Sequence, residues 1–157
     1  MKFISTVRLD VSDENVFPFA AQAGEWALTG TFVFSDAEPE VLSKKEQLAF
    51  RNGWLGTNSF GRSTFVLIKE ITDEQYDLVV SRLAKYIFEL YGAPNMNVAT
   101  KAAQSEAAFA AGLCEHPIGT MLSIERAFTD DGINERFHLV QSQDNDMHAK
   151  IWSIVED

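Results

Sequence analysis

The sequence is short of several residue types, and each shortage narrows what the protein can be. Its single cysteine, Cys114, excludes an internal disulfide and is typical of a reducing compartment. Only 13 of its 157 residues are Lys or Arg, against 23 Asp and Glu, so the formal net charge is −10. Nucleic-acid binding needs a concentrated positive potential, and this balance argues against it. No apolar run approaches the ~20 residues of a membrane span, and "MKFISTVRLD" has no leader-like pattern. We therefore expect a cytoplasmic protein with neither a nucleic-acid nor a membrane partner.

The rest of the composition is that of an ordered globular domain. Hydrophobic residues make up 46% of the chain and charged residues 23%, which is typical of a folded protein. We find no internal repeat, no low-complexity stretch and no linker long enough to separate two units. We therefore predict a single domain over residues 1–157.

Side-chain periodicity predicts the elements of the first half of the chain. Alternation predicts a half-buried strand over residues 3–11 and a second, clearer strand over residues 26–34. A helix is predicted over residues 35–53, where Gly53 ends it. The β-branched and aromatic run 63–71 predicts a central strand.

The second half predicts two helices and then a hairpin. Thr72 and Gln75 have the spacing of a capping box at the start of a helix that continues to Leu90. An alanine-rich helix is predicted over residues 100–117, and "TDDG" is predicted to join two antiparallel strands. Residues 149–155 fit either a strand or a helix. The predicted fold class is α+β, with a largely antiparallel sheet of five to six strands and about three helices packed on one face.

The stretch "GTNSFGRS", residues 56–63, has the glycine spacing of a phosphate-binding loop. Arg62 stands in the place of the lysine, and Ser63 in the place of the hydroxyl residue. Such a loop works because a helix N-terminus follows it and adds its dipole to the loop amides. Here a helix is predicted to end before the loop and a strand to follow it. We interpret the stretch as a turn and not as a nucleotide site.

The region around this loop carries the candidate contact residues. Residues 41–69 hold five cations and one carboxylate, in contrast to the acidic chain as a whole. Arg51, Asn58 and Arg62 could hold an anionic ligand there, with Trp54 as a stacking surface. The alternative is an ordinary solvated basic surface. Trp54 and Phe60 flank the glycine loop and could instead form a surface for a protein partner.

No residue pattern predicts catalysis, a metal or a cofactor. Cys114 and His116 lie at the C-terminal end of a predicted helix, where the dipole disfavours a thiolate, so Cys114 is interpreted as a core residue. Together with His138 and His148, Cys114 and His116 match no zinc-ligand spacing. We predict no catalytic residue, no metal site and no cofactor, and we leave open whether the protein is an enzyme, while favouring that it is not.

Three segments together carry a resemblance to a known family: "TVRLD…F…A…GEW", "AFRNGWLGTNSFGRSTFV" and "AAFAAGLCEHPIGT". In these segments, which span nearly the whole chain, the sequence resembles a family of short bacterial proteins known only as a domain of unknown function. The resemblance implies one domain and makes the glycine loop its distinctive segment. It also suggests an association with redox or metal-cofactor enzymes, but it implies no catalytic residue, cofactor or substrate.

These observations favour a non-catalytic interaction or accessory module, and the resemblance suggests that it serves a redox or metal-cofactor enzyme system. It would contact another protein or a second copy of itself, with Trp54 and Phe60 at the contact. The alternative is a binding protein or enzyme for a small anionic ligand, with its pocket near the loop at residues 51–62.

Overall fold

The computed structural model describes residues 1–9, 12–142 and 152–156. Its strands are β1 (Lys2–Val7), β2 (Ala27–Leu28), β3 (Trp54–Gly56), β4 (Arg62–Ser63), β5 (Phe65–Glu70), β6 (Met121–Thr129), β7 (Gly132–Ser142) and β8 (Trp152–Glu156). Its helices are α1 (Ser12–Val16), α2 (Lys44–Asn52), α3 (Asp73–Leu90) and α4 (Met96–Gly112). Short 3-10 helices span Thr31–Phe34 and Pro39–Val41.

The strands form two antiparallel sheets. The larger sheet has five strands in the order β1-β5-β6-β7-β8, and the smaller has three in the order β2-β3-β4. An antiparallel bridge between Ser5 and Trp26 places the start of the smaller sheet beside β1. The predicted α+β class with a largely antiparallel sheet is therefore confirmed.

The helices pack on one face of the larger sheet. Side chains alternate along β6, so Leu122, Ile124 and Arg126 point to the same face. Arg126 donates a hydrogen bond to the carbonyl of Phe50 in α2. Phe137, directly opposite Ile124, lies 5.9 Å from the ring of Phe109 in α4. Helix α3 packs along α4, where a row of small side chains is fully buried and permits close approach: Ala99, Ala103, Ala107 and Ala110.

Several predicted local features are confirmed. The Thr72 hydroxyl accepts from the Gln75 amide at 3.1 Å, and the Gln75 side chain accepts from the Thr72 amide at 2.9 Å. This capping box begins α3 at Asp73. In the β6–β7 hairpin the register pairs Phe128 with Ile133, which is the apolar pairing that the turn "TDDG" predicts.

The strand predicted over residues 26–34 is wrong. Only Ala27–Leu28 forms a strand, because Gly30 adopts a φ of 74° and Thr31–Phe34 then winds into a 3-10 helix. The helix predicted from residue 35 begins later, at Lys44, where Ser43 and Glu46 form a second capping box.

The first strand is shorter and more deeply buried than its alternation predicts. It ends at Val7, and α1 begins at Ser12 without a sequence signal that we had recognised. Thr6 is buried in this strand, and its hydroxyl is satisfied by donating to the Gln22 carbonyl at 2.6 Å. Val11 lies outside the described residues, as do residues 149–151, while Trp152–Glu156 forms a strand.

Candidate functional site

The glycine loop is the turn of a hairpin between β3 and β4. The amide of Gly56 donates to the carbonyl of Gly61 at 2.9 Å and closes the hairpin. A strand therefore precedes the loop and a strand follows it, so no helix N-terminus faces the loop amides. The interpretation of residues 56–63 as a turn fits this arrangement, and the phosphate-loop geometry is absent here.

The loop nevertheless surrounds an anion, which is the carboxylate of Glu25 in the same chain. Glu25 accepts hydrogen bonds from the amides of Asn58 at 3.0 Å and Ser59 at 2.7 Å. It also accepts from the Ser59 hydroxyl and from the Gln22 amide, each at 2.6 Å. We call this arrangement the Glu25 nest. Its four donors satisfy a carboxylate that is only 6% exposed.

Neighbouring atoms approach both glycines of the loop so closely that neither position can hold a side chain. A Cβ atom on Gly56 would collide with the Glu25 carboxylate, and one on Gly61 would collide with the backbone of Ala20. The spacing that resembles a phosphate loop therefore has a structural origin within the fold.

Arg62, a predicted ligand contact, lies in the interior. Its guanidinium donates to the carbonyl of Gly53 at 3.1 Å and to that of Gly30 at 3.2 Å. It lies 4.9 Å from the ring centre of Phe34, in a cation–π arrangement. Burial is the main cause that lowers the pKa of Arg62 to about 10, so the group stays protonated at neutral pH.

A second buried guanidinium, that of Arg126, caps the end of α2. It donates to the carbonyls of Ala49 at 3.3 Å, Phe50 at 2.6 Å and Gly53 at 2.9 Å, and also to the carbonyl of Thr29. Carbonyls at a helix C-terminus lack partners within the helix and carry a partial negative charge, so a cation is favoured there. Burial, and then repulsion from the other guanidinium, lowers the pKa of Arg126 to about 9. Sequence reasoning missed this residue, because its position in a strand gives no sign of the helix end beside it.

The other predicted contact residues lie in three different settings. Trp54 is 0% exposed and packs 5.9 Å from Phe137, so no part of its indole is available to a partner or ligand in this structure. Arg51 is exposed at the end of α2 and lines a groove of about 200 Å³ beside Arg126. Asn58 and Phe60 lie together at the tip of the glycine loop.

The loop tip and the C-terminal half of α3 enclose a groove of about 310 Å³, which we call the loop groove. Phe60 stacks on Tyr86 of α3 with 3.8 Å between ring centres and 2° between ring planes. Arg82, Lys85 and Leu90 of α3 complete the wall, with Asn58 from the loop. Burial is the main cause that raises the pKa of Tyr86, so its hydroxyl remains protonated. Glu89 of α3 also lines the groove, which thus combines an aromatic platform with two exposed cations and one exposed carboxylate.

Apolar side chains are exposed beside the loop groove, where α3 ends and α4 begins. The exposed fractions are 42% for Phe88, 65% for Leu90 and 46% for Met96. Tyr91 is also exposed, although its ring contacts Phe32 at 5.3 Å. Of these side chains Leu90 lines the groove itself, whereas Phe88, two residues earlier in α3, lies on another side of the helix.

Phe60 holds its position with a backbone φ of 58°. It is the one non-glycine residue with positive φ in the described ranges. This left-handed conformation is unfavourable for a bulky aromatic residue, and such conformations cluster at functional sites.

The cysteine and histidines do not form a catalytic or metal centre in the described part of the chain. Cys114 is buried as predicted, and burial raises the pKa of its thiol to about 11. Among the described residues, no three His, Cys, Asp or Glu side chains are grouped so that they could hold a metal ion. His148 lies outside those residues. Nor does any helix in the described ranges have the length and apolar character needed to cross a membrane.

Comparison with known protein families identifies the family of the chain. A family model, described as a family of unknown function, matches residues 1–154. The chain belongs to this family, DUF6505. The resemblance that the sequence motifs indicate is thereby confirmed, and DUF6505 brings no activity, ligand or partner to transfer. No curated protein and no solved structure matches the chain.

Proposed function

We propose that the protein is a non-catalytic cytoplasmic module that binds another protein through the loop groove and the apolar surface beside it. The observation that carries this proposal is the aromatic platform of Phe60 and Tyr86, which lies next to exposed Leu90. Aromatic rings bury a large area at low entropic cost and are enriched at the centres of protein interfaces. A role with redox or metal-cofactor enzymes remains a prediction from the family resemblance.

The charges around the groove indicate the chemistry of the partner. Arg82 and Lys85 are exposed on its wall, and the nearby carboxylate of Glu89 lies 3.9 Å from Lys85 in a solvent-exposed pair. Such a pair is weak, so Lys85 can exchange it for a partner carboxylate. We propose that the occupant is a segment of a partner protein with an apolar side chain flanked by Asp or Glu. A second copy of this chain is a poorer candidate, since two chains of net charge −10 repel each other.

The test compares variants on one helix. Lys85→Glu and Leu90→Ser alter the proposed surface, while Leu78→Ser removes a 48%-exposed leucine from the same helix, outside the groove lining, and is the matched control. We expect wild type and the control to recover the same partner equally. Lys85→Glu and Leu90→Ser should each lower its recovery by about tenfold or more. Binding should weaken in 0.5 M salt, which screens the charge contacts.

Two results would contradict this proposal. Equal recovery by all four proteins would remove the groove from the interface. Concentration-dependent dimers in sedimentation, abolished by Leu90→Ser, would make a second copy the occupant.

One observation favours the alternative of a small anionic ligand. Arg62 has no carboxylate within ion-pair distance in the described part of the chain, and it lines a cavity of about 190 Å³ with Phe34 and Phe60. A buried cation without an anionic partner is costly, and a bound anion would compensate for it.

Thermal unfolding with phosphate, sulfate and nucleotides tests this alternative. A bound anion should raise the melting temperature, because at a free concentration c it stabilises the folded state by RT ln(1 + c/Kd). The increment should disappear in Arg62→Gln, whatever that substitution does to the melting temperature without ligand. An equal increment in Arg62→Gln would show that the anions act elsewhere.

A further inference from the structure

A second groove lies on the larger sheet beside the C-terminal end of α2, whose last residue, Asn52, forms part of its lining. It has a volume of about 550 Å³ and is lined by Phe65, Ser123, Glu125, Arg136 and His138, among others. Because Ser123 and Glu125 alternate with Leu122 and Ile124, they point away from the helix-covered face. We call this the sheet groove. Its volume is in the range of small-molecule sites.

Ser123 lies in the lining of this groove with a hydroxyl that lacks a hydrogen-bond partner. The residue is 5% exposed, and its Oγ makes no hydrogen bond to any described residue. Buried polar groups in folded proteins are nearly always satisfied, because an unsatisfied one costs roughly 1–3 kcal/mol. An unpartnered hydroxyl in the lining of a groove is what a polar ligand would satisfy.

The strand register places further polar groups around this hydroxyl. His138 is directly opposite Ser123, and Arg136 is directly opposite Glu125 on the same two strands. Directly paired residues on antiparallel strands have Cβ atoms roughly 4.5–5.5 Å apart, so the four side chains share one face. Phe65, paired with Ser123 on its other side, adds an apolar wall.

We propose that the sheet groove binds a small organic carboxylate. The Arg136 guanidinium and the His138 imidazole supply donors of the type that recognises carboxylates, and the Ser123 hydroxyl donates the third hydrogen bond. The apolar part of the ligand packs on Phe65. Glu125 opposes an anion in the groove, so its charge limits the affinity. This site is separate from the loop groove and does not depend on the function proposed there.

The experiment titrates the ¹⁵N-labelled protein with benzoate and with benzamide, its neutral analogue. Benzoate should give saturable shifts at the amides of β6 and β7 with a Kd of about 1 mM, and benzamide should bind at least about fivefold more weakly. Succinate serves as a second carboxylate probe without an aromatic ring.

Three variants test whether each side chain strengthens or weakens benzoate binding. Arg136→Gln should weaken benzoate binding by about tenfold, and Glu125→Gln should strengthen it by about threefold, because the two charges act in opposite directions. Ser123→Ala should weaken binding by about fivefold while leaving the melting temperature of the free protein unchanged or higher. A hydroxyl with no partner contributes nothing to the unliganded fold.

Each contrary result overturns the proposal. Absence of saturable shifts with both benzoate and succinate would show that the groove does not bind carboxylates. Equal binding of benzamide would show that the charge is not recognised. A drop of several degrees in the melting temperature of free Ser123→Ala would give the hydroxyl a structural role instead.

Discussion

Glu25, Arg62 and Arg126 are buried charges whose partners are mainly backbone groups of their own chain. Glu25 accepts from two amides of the glycine loop, the Gln22 amide and one hydroxyl, and the two guanidiniums donate to carbonyls at the end of α2 and near Gly30. Hydrogen bonds to charged groups are about twice as strong as neutral ones. These residues therefore hold together segments that are distant in sequence, and a charge near a glycine loop does not by itself indicate a ligand site.

Glu106 in α4 should make the stability of the protein depend on pH. Burial, and then repulsion from Glu135, raises the pKa of Glu106 above its ordinary value of 4.5. The folded state therefore holds this proton more tightly than the unfolded state. The resulting stabilisation is present below the ordinary pKa and is lost as the pH rises through the raised one. We expect Glu106→Gln to have a higher free energy of unfolding than wild type at pH 7, and a smaller decrease between pH 4 and pH 7.

Urea unfolding at both pH values measures this difference. Glu115→Gln, an exposed carboxylate beyond the same helix, is the control and should change the free energy of unfolding by less than about 0.5 kcal/mol. A Glu106→Gln protein no more stable than wild type at pH 7 would show that the carboxylate is well solvated.

At the scale of elements, the features that depend on neighbours in sequence were predictable. The capping box of α3, the strand β5 and the β6–β7 hairpin all follow from local patterns. The strand predicted over residues 26–34 failed for a reason that lies far away in sequence. At Gly30 a Cβ would collide with Leu55 and Arg62, so the left-handed turn there belongs to a tertiary contact. The alternation of apolar and polar residues in the sequence holds no information about that contact.

The residues of the candidate site also fall into two groups, those placed by local sequence and those placed by tertiary packing. Asn58 and Phe60 lie together at the loop tip, and this nearness depends only on local sequence, because the two residues belong to one turn. The burial of Trp54 and the platform formed with Tyr86 depend on how distant elements pack. Ser123 and His138 are opposite each other only through the hairpin register. That register follows from the turn, so sequence reasoning can predict that these two residues are paired. It cannot predict that their face of the sheet forms an open groove.

The Glu25 nest should make Gly56 intolerant of even one methyl group. Gly56→Ala would push a Cβ into the Glu25 carboxylate, and we expect it to lower the free energy of unfolding by about 2–3 kcal/mol. Gly112, the last residue of α4, has no atom within 4 Å of its would-be Cβ and is the matched control. Gly112→Ala should raise the free energy of unfolding by about 0.5–1 kcal/mol, because alanine favours the helix.

Chemical denaturation of both variants distinguishes a rigid nest from an adaptable one. If Gly56→Ala is as stable as wild type, the loop can shift away from the carboxylate, and the four hydrogen bonds to Glu25 contribute little. The Glu25→Gln variant then tests separately how much the charge of Glu25 contributes to stability, because it removes the charge without adding volume.

At the scale of the whole molecule, the two candidate surfaces lie on different sides of the fold and differ in chemistry. The loop groove is on the helix side and joins cations to exposed apolar surface. The sheet groove lies between β6, β7 and the end of α2, and it joins apolar surface to charges of both signs. This separation would allow a small ligand and a protein partner to bind at the same time.

The net charge of −10 should make the free protein more stable in salt. Like charges on a compact surface repel each other more than the same charges on an unfolded chain, and salt screens that repulsion over a Debye length of about 10 Å at 0.1 M. The ion pairs Arg8–Glu14 and Lys85–Glu89 lie at the surface, where such pairs are weak, so screening them costs little. We expect the melting temperature to rise by about 2–4 °C between 20 and 500 mM NaCl, equivalent to about 1 kcal/mol. Equal shifts with NaCl and KCl would assign the effect to screening. A melting temperature that falls with salt would show that attractive charge pairs dominate the surface, and it would remove the argument from net charge against self-association.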